Sequence, residues 1–358
     1  MIKDFTNTNC TLPTSQQRAL VAMSGGVDST VAAMLTLRDG ADCAGAVMKL
    51  HPGDERSVTD ARAAADKLQI PFHCFDFSDC FTDIVIESFV NAYSEGRTPN
   101  PCIDCNKNIK FGRLMEAALG LGCDCIVTGH YAQVGLNESG RYILKKGADA
   151  TKDQSYVLYS LSQQQLARIR FPLGSLYKQQ VRSLASGMGL SNAQRRESQD
   201  ICFIPDGDYA GFITEYIGTP QRKGRFVDVE GNDLGENKGI IHYTIGQRRG
   251  LGLSMPHPPY VIDIHPEDST VVIGRDDMLY SKTLQLQGIN LIPIDSLDQP
   301  LKASVKIRYR HTEQPATVTQ IDDDSLLVKF NEPQRAITRG QSAVTYDGEI
   351  VIGGGVIV

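Results

Sequence analysis

The stretch Ser24-Gly25-Gly26-Val27-Asp28-Ser29 lies between a short apolar run, residues 19–23, and an alanine-rich stretch with helical character, residues 30–37. The order is therefore strand, glycine-rich turn and helix. Glycines let a backbone approach an anion closely, and a helix N-terminus offers free N–H groups and a positive dipole end. The chain contains no G-x-x-x-x-G-K-[ST] pattern, so this is not a Walker loop. We predict a phosphate-binding loop of another type; the alternative is an ordinary strand-to-helix turn.

Length, charge and cysteine content limit the class of protein. At 358 residues the chain predicts two or three domains. A net charge of −6 argues against wholesale polyanion binding, although not against a local basic face. The sequence has neither an apolar run of 18 residues nor a signal peptide, which predicts no membrane partner. Nine cysteines, an odd number in a chain of this size, predict a reduced cytoplasmic protein rather than a disulfide scaffold.

Short apolar runs alternate with helical patterns over about the first 200 residues, with strands predicted at 43–48, 71–76 and 125–130. This alternation predicts an α/β fold, a doubly wound parallel sheet covered by helices on both faces. Ligands of such sheets bind beyond the carboxyl ends of the strands. The glycine-rich loop, Met48 and Gly129-His130 would all lie at that edge.

The composition and the hydrophobic pattern of the sequence change after about residue 205. Glycine and proline become frequent, and short β-type runs such as 260–264 and 270–274 predict a small β-rich central module. Closely spaced strands from about residue 281 predict a C-terminal β-barrel. We therefore divide the chain into domains at 1–210, 211–280 and 281–358.

Two cysteines three positions apart, Cys102 and Cys105, lie in a proline-rich loop before a helix predicted at 109–119. A C-x-x-C in a polar loop is rarely part of a core. The positive end of that helix, together with Lys107, is expected to lower the pKa of the Cys105 thiol.

A third cysteine, Cys202, stands far away in the sequence, between Ile201 and Phe203. These neighbours are equally consistent with a buried apolar residue and with a reactive thiol. Three cysteines do not complete a structural zinc site, which usually takes four ligands. They do suit an iron–sulfur cluster with one open iron, or a pair of thiols for sulfur chemistry with a helper.

Motifs along almost the whole chain resemble those of the tRNA-specific 2-thiouridylases, which replace the C2 oxygen of the anticodon wobble uridine by sulfur. The motifs are residues 24–29, 97–101, 105–107, 110–111, 128–131, 152–156, 171–174, 201–204, 242–252, 308–310 and 340–343. This family has a pyrophosphate-loop ATPase fold of the adenine nucleotide α-hydrolase type. The resemblance implies that residues 1–210 bind ATP and catalyse the reaction, and that the other two segments bind tRNA.

The resemblance also implies a role for each matching residue. ATP would be held by Ala22, Met23, Ser24, Gly25, Gly26, Val27, Asp28, Ser29, Met48 and Gly129. The target base would face Asn100, Pro101 and Cys102, with His130 beside it. Contacts to the tRNA would come from Lys152, Asp153, Gln154, Arg308, Tyr309 and Gln341. Cys105 would be the nucleophile, and Cys202 would carry the persulfide sulfur.

The chemistry implied by the resemblance begins with transfer of AMP from ATP to the uracil C2 oxygen. Mg²⁺ should neutralise the phosphates, with Asp28 as a plausible helper. The terminal sulfur on Cys202 would then attack C2, and Cys105 would form a disulfide with Cys202. Partners would be the tRNA anticodon arm, a sulfur-donor protein or sulfide source, and a reductant that reopens the disulfide.

One departure leaves a second mechanism open. Many family members carry aspartate where this chain has Cys102. Cys102, Cys105 and Cys202 could together hold a 4Fe–4S cluster whose open iron binds the attacking hydrosulfide. Two rival functions also remain: a synthetase with the same loop in which an amine attacks the adenylated oxygen, and a non-catalytic tRNA-binding or iron–sulfur carrier protein.

A basic strand is predicted near the C-terminus. Lys302, Ser304, Lys306, Arg308 and Arg310 alternate with apolar or aromatic residues between 303 and 309, which on a strand gives one basic face. That face would contact tRNA phosphates, and Tyr309 could stack a splayed base. The alternative is a solvated edge strand whose charges deter aggregation. Arg222, Lys223, Arg225, Arg248 and Arg249 would add a second basic patch.

Overall fold

A five-stranded parallel sheet forms the first part of the chain, as the alternation of strands and helices predicted. The computed structural model describes residues 8–9, 17–188, 201–220 and 222–358. In spatial order the strands are Phe72–Asp76, Asp42–Lys49, Arg18–Ala22, Cys125–Val127 and Ile169–Arg170. The last strand was not foreseen, because two residues are too few to show a pattern.

Helices cover both faces of this sheet. Neighbouring residues of a strand point to opposite faces, so Leu20 packs against the helical residues Phe111 and Leu114, whereas Val21 packs against Val31 and others of the opposite layer.

Single helices span Val27–Arg38, Glu55–Leu68, Gln163–Ala167, Lys178–Gly187 and Tyr209–Ile217. Two longer ones contain a π-helical middle: Ser78–Phe81, Thr82–Ile86 and Glu87–Ser94 are continuous, as are Pro101–Asp104, Cys105–Arg113 and Leu114–Gly120. Short 3-10 helices lie at Ser155–Leu158, Ile240–His242 and Asp276–Leu279. No helix in the described ranges is long and apolar enough to cross a membrane.

The central module is a four-stranded sheet, which confirms the predicted β-rich character of this segment. Its strands, in spatial order, are Asp233–Glu236, Arg225–Val227, Thr270–Gly274 and Tyr260–His265. They enclose a small core of their own, in which Phe226, Val261 and Val271 are fully or almost fully buried.

The C-terminal segment is a closed antiparallel barrel, which confirms the predicted fold. Around the barrel the strands are Tyr280–Leu291, Ser325–Arg335, Gln314–Asp322, Leu301–Lys306, Ser342–Asp347 and Ile350–Ile357, and the last pairs with the first. The predicted basic strand through Arg310 is therefore wrong in its second half, because the chain turns after Lys306.

A hairpin from the first part of the chain joins this barrel. Its strands are Ala132–Leu136 and Tyr142–Lys146, and Leu144 and Lys145 pair with Val351 and Ile350. Thr8–Asn9 pairs with the outer strand of the same hairpin. This shared sheet fixes the barrel against the parallel sheet, so side chains from both can line one site.

Candidate active site

The glycine-rich loop joins the central strand Arg18–Ala22 to the helix Val27–Arg38. Gly25 has a φ of 70°, and a Cβ at this position would lie 2.4 Å from the Cβ of Asp60, so the loop requires glycine here. The hydroxyl of Ser29 donates to the Gly26 carbonyl at 3.1 Å and accepts from the Ser24 N–H at 3.2 Å. These bonds hold the helix N-terminus open towards an anion.

A cavity of about 1670 Å³ opens beside this loop. Most of the residues expected to hold ATP line it, namely Ala22, Met23, Ser24, Asp28, Ser29, Met48 and Gly129. The others, Gly25, Gly26 and Val27, belong to the backbone of the loop itself. The residues expected to contact base, sulfur and tRNA line the same cavity: Asn100, Pro101, Cys102, Cys105, His130, Lys152, Asp153, Gln154, Cys202, Arg308, Tyr309 and Gln341. The structure thus brings the separate sequence motifs to one place.

Gly129 supports the loop by close packing, and its replacement by alanine is expected to weaken ATP binding. A Cβ at Gly129 would lie 2.9 Å from both the carbonyl carbon of Asp28 and the nitrogen of Ser29. Overpacking of this kind costs about 1–3 kcal/mol, so we expect roughly tenfold weaker binding of ATP in an equilibrium titration. Gly120→Ala is the matched control, because its added Cβ would meet no described atom within 4 Å outside its chain neighbours and its own helix backbone. Equal ATP affinity of Gly129→Ala and wild type would contradict this account of the loop.

Asp28 is committed to partners within the protein. Lys178 Nζ lies 2.8 Å from each of its carboxylate oxygens, and Tyr131 Oη donates to one of them at 2.9 Å. Lys178 is buried, and it opens a helix. The sequence analysis did not identify this lysine. The signal that could have indicated it is its position at the start of a helix, a few residues after the matching segment 171–174. Asp28, the residue predicted to assist Mg²⁺, is therefore held in place by this ion pair.

The cysteine segment begins a helix, contrary to the predicted loop. Asn100 caps this helix by accepting the N–H of Cys102 on Oδ1 at 3.2 Å, and Pro101 occupies the first helical position. Cys105 therefore lies one turn inside the helix, and the positive end lies at Cys102. A π-helical turn follows from Cys105 to Arg113.

Three thiols, those of Cys102, Cys105 and Cys202, share the cavity and are free in this structure. Cys202 is exposed to the cavity, so the alternative of a buried apolar residue is wrong. Surrounding protein desolvates all three and raises the pKa of each thiol, that of Cys202 to about 12. The predicted lowering of the Cys105 pKa is therefore wrong, because burial outweighs the nearby positive charge.

Lys110, rather than Lys107, supplies that positive charge. Lys107 is exposed, whereas Lys110 lines the cavity and opposes the rise in pKa of all three thiols. Its ammonium donates to Asn106 Oδ1 at 3.0 Å. Asn106 is buried, and its Nδ2 donates to the Val157 carbonyl at 3.1 Å, which fixes the orientation of the amide.

His130 is held as a neutral imidazole. Its Nδ1 lies 2.6 Å from the hydroxyl of Thr128, and its ring packs against Phe111 and Phe171. Burial, together with the charge of Lys110, holds the pKa of His130 well below its usual value. The uncharged ring can therefore donate a hydrogen bond to a bound base, or accept one from it, at neutral pH.

Several of the residues expected to contact tRNA also hold the walls of the cavity together. Gln341 donates to the Thr98 carbonyl at 2.8 Å, and Gln154 accepts the N–H of Tyr131 at 3.0 Å. Arg308 donates to the Ala336 carbonyl and the Thr338 hydroxyl. In the second basic patch, Lys223 and Arg225 pair with Glu236 and Asp233, so acidic neighbours offset part of its charge.

Family models and curated relatives match this chain over nearly its whole length. Residues 17–206 match the tRNA methyl transferase HUP domain, 210–275 the tRNA methyl transferase PRC-barrel domain, and 281–357 the aminomethyltransferase beta-barrel domain. The tRNA-specific 2-thiouridylase MnmA of Clostridioides difficile (strain 630) is 45% identical over 353 residues, which cover 95% of this chain and 98% of the relative. The chain belongs to the tRNA-specific 2-thiouridylase family.

A second member of the thiouridylase family, MnmA of Acetivibrio thermocellus, is 44% identical over 357 residues, covering 96% of this chain and 99% of the relative. Among solved structures, a 4-thiouridine synthetase in complex with RNA and bound ATP is similar over 54% of this chain and 46% of that chain. The identity is 16% and the TM-score 0.36, too distant a likeness to bear on function.

Proposed function

We propose that this protein thiolates C2 of the wobble uridine of tRNA in an ATP-dependent reaction, with Cys202 as the persulfide carrier and Cys105 as the nucleophile. The observation that carries the proposal is the single cavity shared by the glycine-rich loop and the two cysteines. The names of the curated relatives support the same reaction. Methyl transfer, which the family-model descriptions mention, would not need a cysteine pair facing a nucleotide loop.

The first proposed step activates the base. The C2 oxygen of uracil attacks the α-phosphorus of ATP, pyrophosphate leaves towards the N-terminus of the helix Val27–Arg38, and the oxygen becomes part of a good leaving group. Asn100 and the neutral His130 lie on the cavity wall, where they can hydrogen bond to the polar edge of the base.

Sulfur transfer follows from the cysteines. The terminal sulfur of a Cys202 persulfide attacks C2, and AMP leaves with the former C2 oxygen. Cys105 thiolate then attacks the inner sulfur of Cys202, and the electron pair of the broken S–S bond remains on the sulfur of the base. The products are 2-thiouridine and a Cys105–Cys202 disulfide. A sulfur donor must load Cys202 with persulfide, and an external dithiol must reduce the disulfide in each cycle.

Mg²⁺ on the nucleotide would neutralise phosphate charge, while Asp28 is already paired with Lys178. Within the described ranges no three His, Cys, Asp or Glu side chains are grouped so that they could hold a metal ion. Cys102, Cys105 and Cys202 share the cavity, so a 4Fe–4S cluster on these three thiols is the alternative to the persulfide route.

We further propose that residues 1–210 form the catalytic domain, that 211–280 and 281–358 bind tRNA, and that the protein works in the cytoplasm.

Anaerobic purification followed by assays of iron, acid-labile sulfide and thiolation tests the persulfide route. We expect full thiolation by iron-free protein, with a persulfide trapped on Cys202. Cys102→Ser should retain that persulfide and lose less than about tenfold in thiolation, the cost of one altered contact to the base. A stoichiometric cluster lost in Cys102→Ser together with activity would overturn this route. Absence of thiolation with every sulfide source would favour an amine-using synthetase.

A further inference from the structure

Lys306 is a cation on the part of the cavity wall that the C-terminal barrel contributes. Its ammonium nitrogen lies 5.9 Å from the ring centre of Tyr156 and 5.7 Å from that of Tyr309, and the two ring centres are 6.0 Å apart. Contacts with aromatic faces hold a cation in place without neutralising its charge. Lys306 therefore brings a fixed positive charge into the cavity that contains the catalytic cysteines.

The charge of Lys306 has no direct partner within the part of the chain that the structure describes. Two nearby carboxylates are engaged elsewhere. Asp153 accepts from the Gly147 N–H at 3.0 Å and from the Ser155 hydroxyl at 2.8 Å, and Glu313 pairs with Lys146 Nζ at 2.5 Å. Burial lowers the pKa of Lys306, and attraction to these two carboxylates offsets this lowering only in part. A half-buried cation in this state favours an anion from outside the chain.

His311 adds an unsatisfied hydrogen-bonding atom beside this charge. Its Nδ1 is buried and has no hydrogen-bond partner among the residues that the structure describes. The His311 ring lines the same cavity as Arg308 and Lys306, and burial together with these two charges lowers the pKa of His311. A neutral imidazole can carry its proton on Nδ1 and donate it to an oxygen acceptor. Such an acceptor would remove the free-energy cost of leaving this atom unpaired.

We propose that Lys306 and His311 bind one phosphodiester group of the RNA backbone. This inference rests on the proposed function, because it assigns a contact of the tRNA in the same cavity. An ammonium and an imidazole N–H both donate to phosphate oxygens, and the tyrosine rings beside them offer apolar faces to ribose and base. Free phosphate or the released pyrophosphate would present the same oxygens, and the test separates these sources from RNA.

Arg308 and Lys306 were both predicted on the basic face, but Arg308 is hydrogen bonded within the protein. Its guanidinium donates to the Ala336 carbonyl and, at 2.8 Å, to the Thr338 hydroxyl. It therefore ties the turn after the strand Leu301–Lys306 to a neighbouring segment and orients the wall. Loss of Arg308 would disturb both the fold of this turn and RNA binding, so it does not isolate the phosphate contact.

The test is the salt dependence of tRNA binding by the full-length protein. Lys306→Met keeps an unbranched stem against the tyrosines and removes only the charge. We expect about 3- to 10-fold weaker binding of a tRNA transcript, and a slope of log Kd against log salt concentration that falls by about one. Lys329→Met is the matched control, because Lys329 is exposed on the barrel strand Ser325–Arg335 and does not line the cavity. It should leave the slope unchanged. His311→Ala should weaken binding about 2- to 3-fold with little change in slope, because it removes a neutral donor.

Different outcomes separate the ligand sources. An unchanged slope for Lys306→Met, with wild-type affinity for tRNA, would overturn the proposal. The same result together with weaker inhibition of thiolation by added pyrophosphate would reassign the site to released pyrophosphate. Wild-type protein that fails to bind tRNA at any salt concentration would overturn the proposed function as well, so the two failures are distinguishable.

Discussion

Cys105→Ser is expected to abolish thiolation while leaving activation of the base intact. The hydroxyl of serine has nearly the same shape as the thiol but cannot attack a sulfur–sulfur bond at neutral pH, so the thiolation rate should fall by roughly 10³-fold or more. The glycine-rich loop and His130 are untouched by this change. tRNA-dependent exchange of pyrophosphate into ATP should therefore stay within a few-fold of wild type. Thiolation is measured in a single turnover with persulfide-loaded protein, and exchange with labelled pyrophosphate.

Two further cysteine variants complete this prediction. Cys202→Ser should lose thiolation equally and should also fail to carry a persulfide, which mass spectrometry of the intact protein detects. Cys74→Ser is the matched control, because Cys74 is exposed on the strand Phe72–Asp76 and lies outside the cavity. Full thiolation by Cys105→Ser would contradict the persulfide route and would support a reaction in which the attacking group is not delivered by cysteine.

The parallel sheet and its nucleotide loop were predictable because their signals are local. Two glycines between a strand and a helix specify an anion-binding turn, and alternation of strands and helices specifies the sheet. The junction with the barrel was not predictable. Val351 pairs with Leu144, more than 200 positions earlier, and nothing in either segment indicates its partner.

The start of the cysteine helix could have been predicted from the sequence. Asn100 followed by Pro101 is a typical beginning of a helix, with asparagine as the cap and proline at the first position. Two prolines, at 99 and 101, favour irregular structure instead, which is why the sequence predicts a loop here. The pKa of the Cys105 thiol was not predictable, since its direction depends on burial, which tertiary packing decides.

Lys110 illustrates why residues near in sequence are a poor guide to the charge at a site. Lys107 follows Cys105 by two positions, and Lys110 by five. The π-helical turn that begins at Cys105 widens the helix so that residues about five apart come to the same face. Lys110 thus faces the thiols, while Lys107 faces solvent.

Lys110→Met is expected to slow thiolation by about 100-fold, the lower end of the cost of removing a group that stabilises developing negative charge. Burial raises the pKa of Cys105, and the positive charge of Lys110 opposes this rise. Its loss should move the pKa further up, so that less thiolate is present at any pH below that pKa. The midpoint of a pH series of Cys105 alkylation, followed on the cysteine-containing peptide by mass spectrometry, should therefore move to higher pH.

Three comparisons make this result specific to charge at one position. Lys107→Met removes an exposed lysine from the same helix and should leave the alkylation midpoint unchanged. Lys110→Arg retains the positive charge and should restore the midpoint, although its planar group bonds differently to Asn106. Asn106→Ala frees the ammonium from its acceptor and should give an intermediate shift, because the charge remains but its position is no longer fixed. This account would be contradicted by a wild-type alkylation midpoint in Lys110→Met together with a raised midpoint in Lys107→Met. That result would show that Lys107, and not Lys110, supplies the charge that activates Cys105.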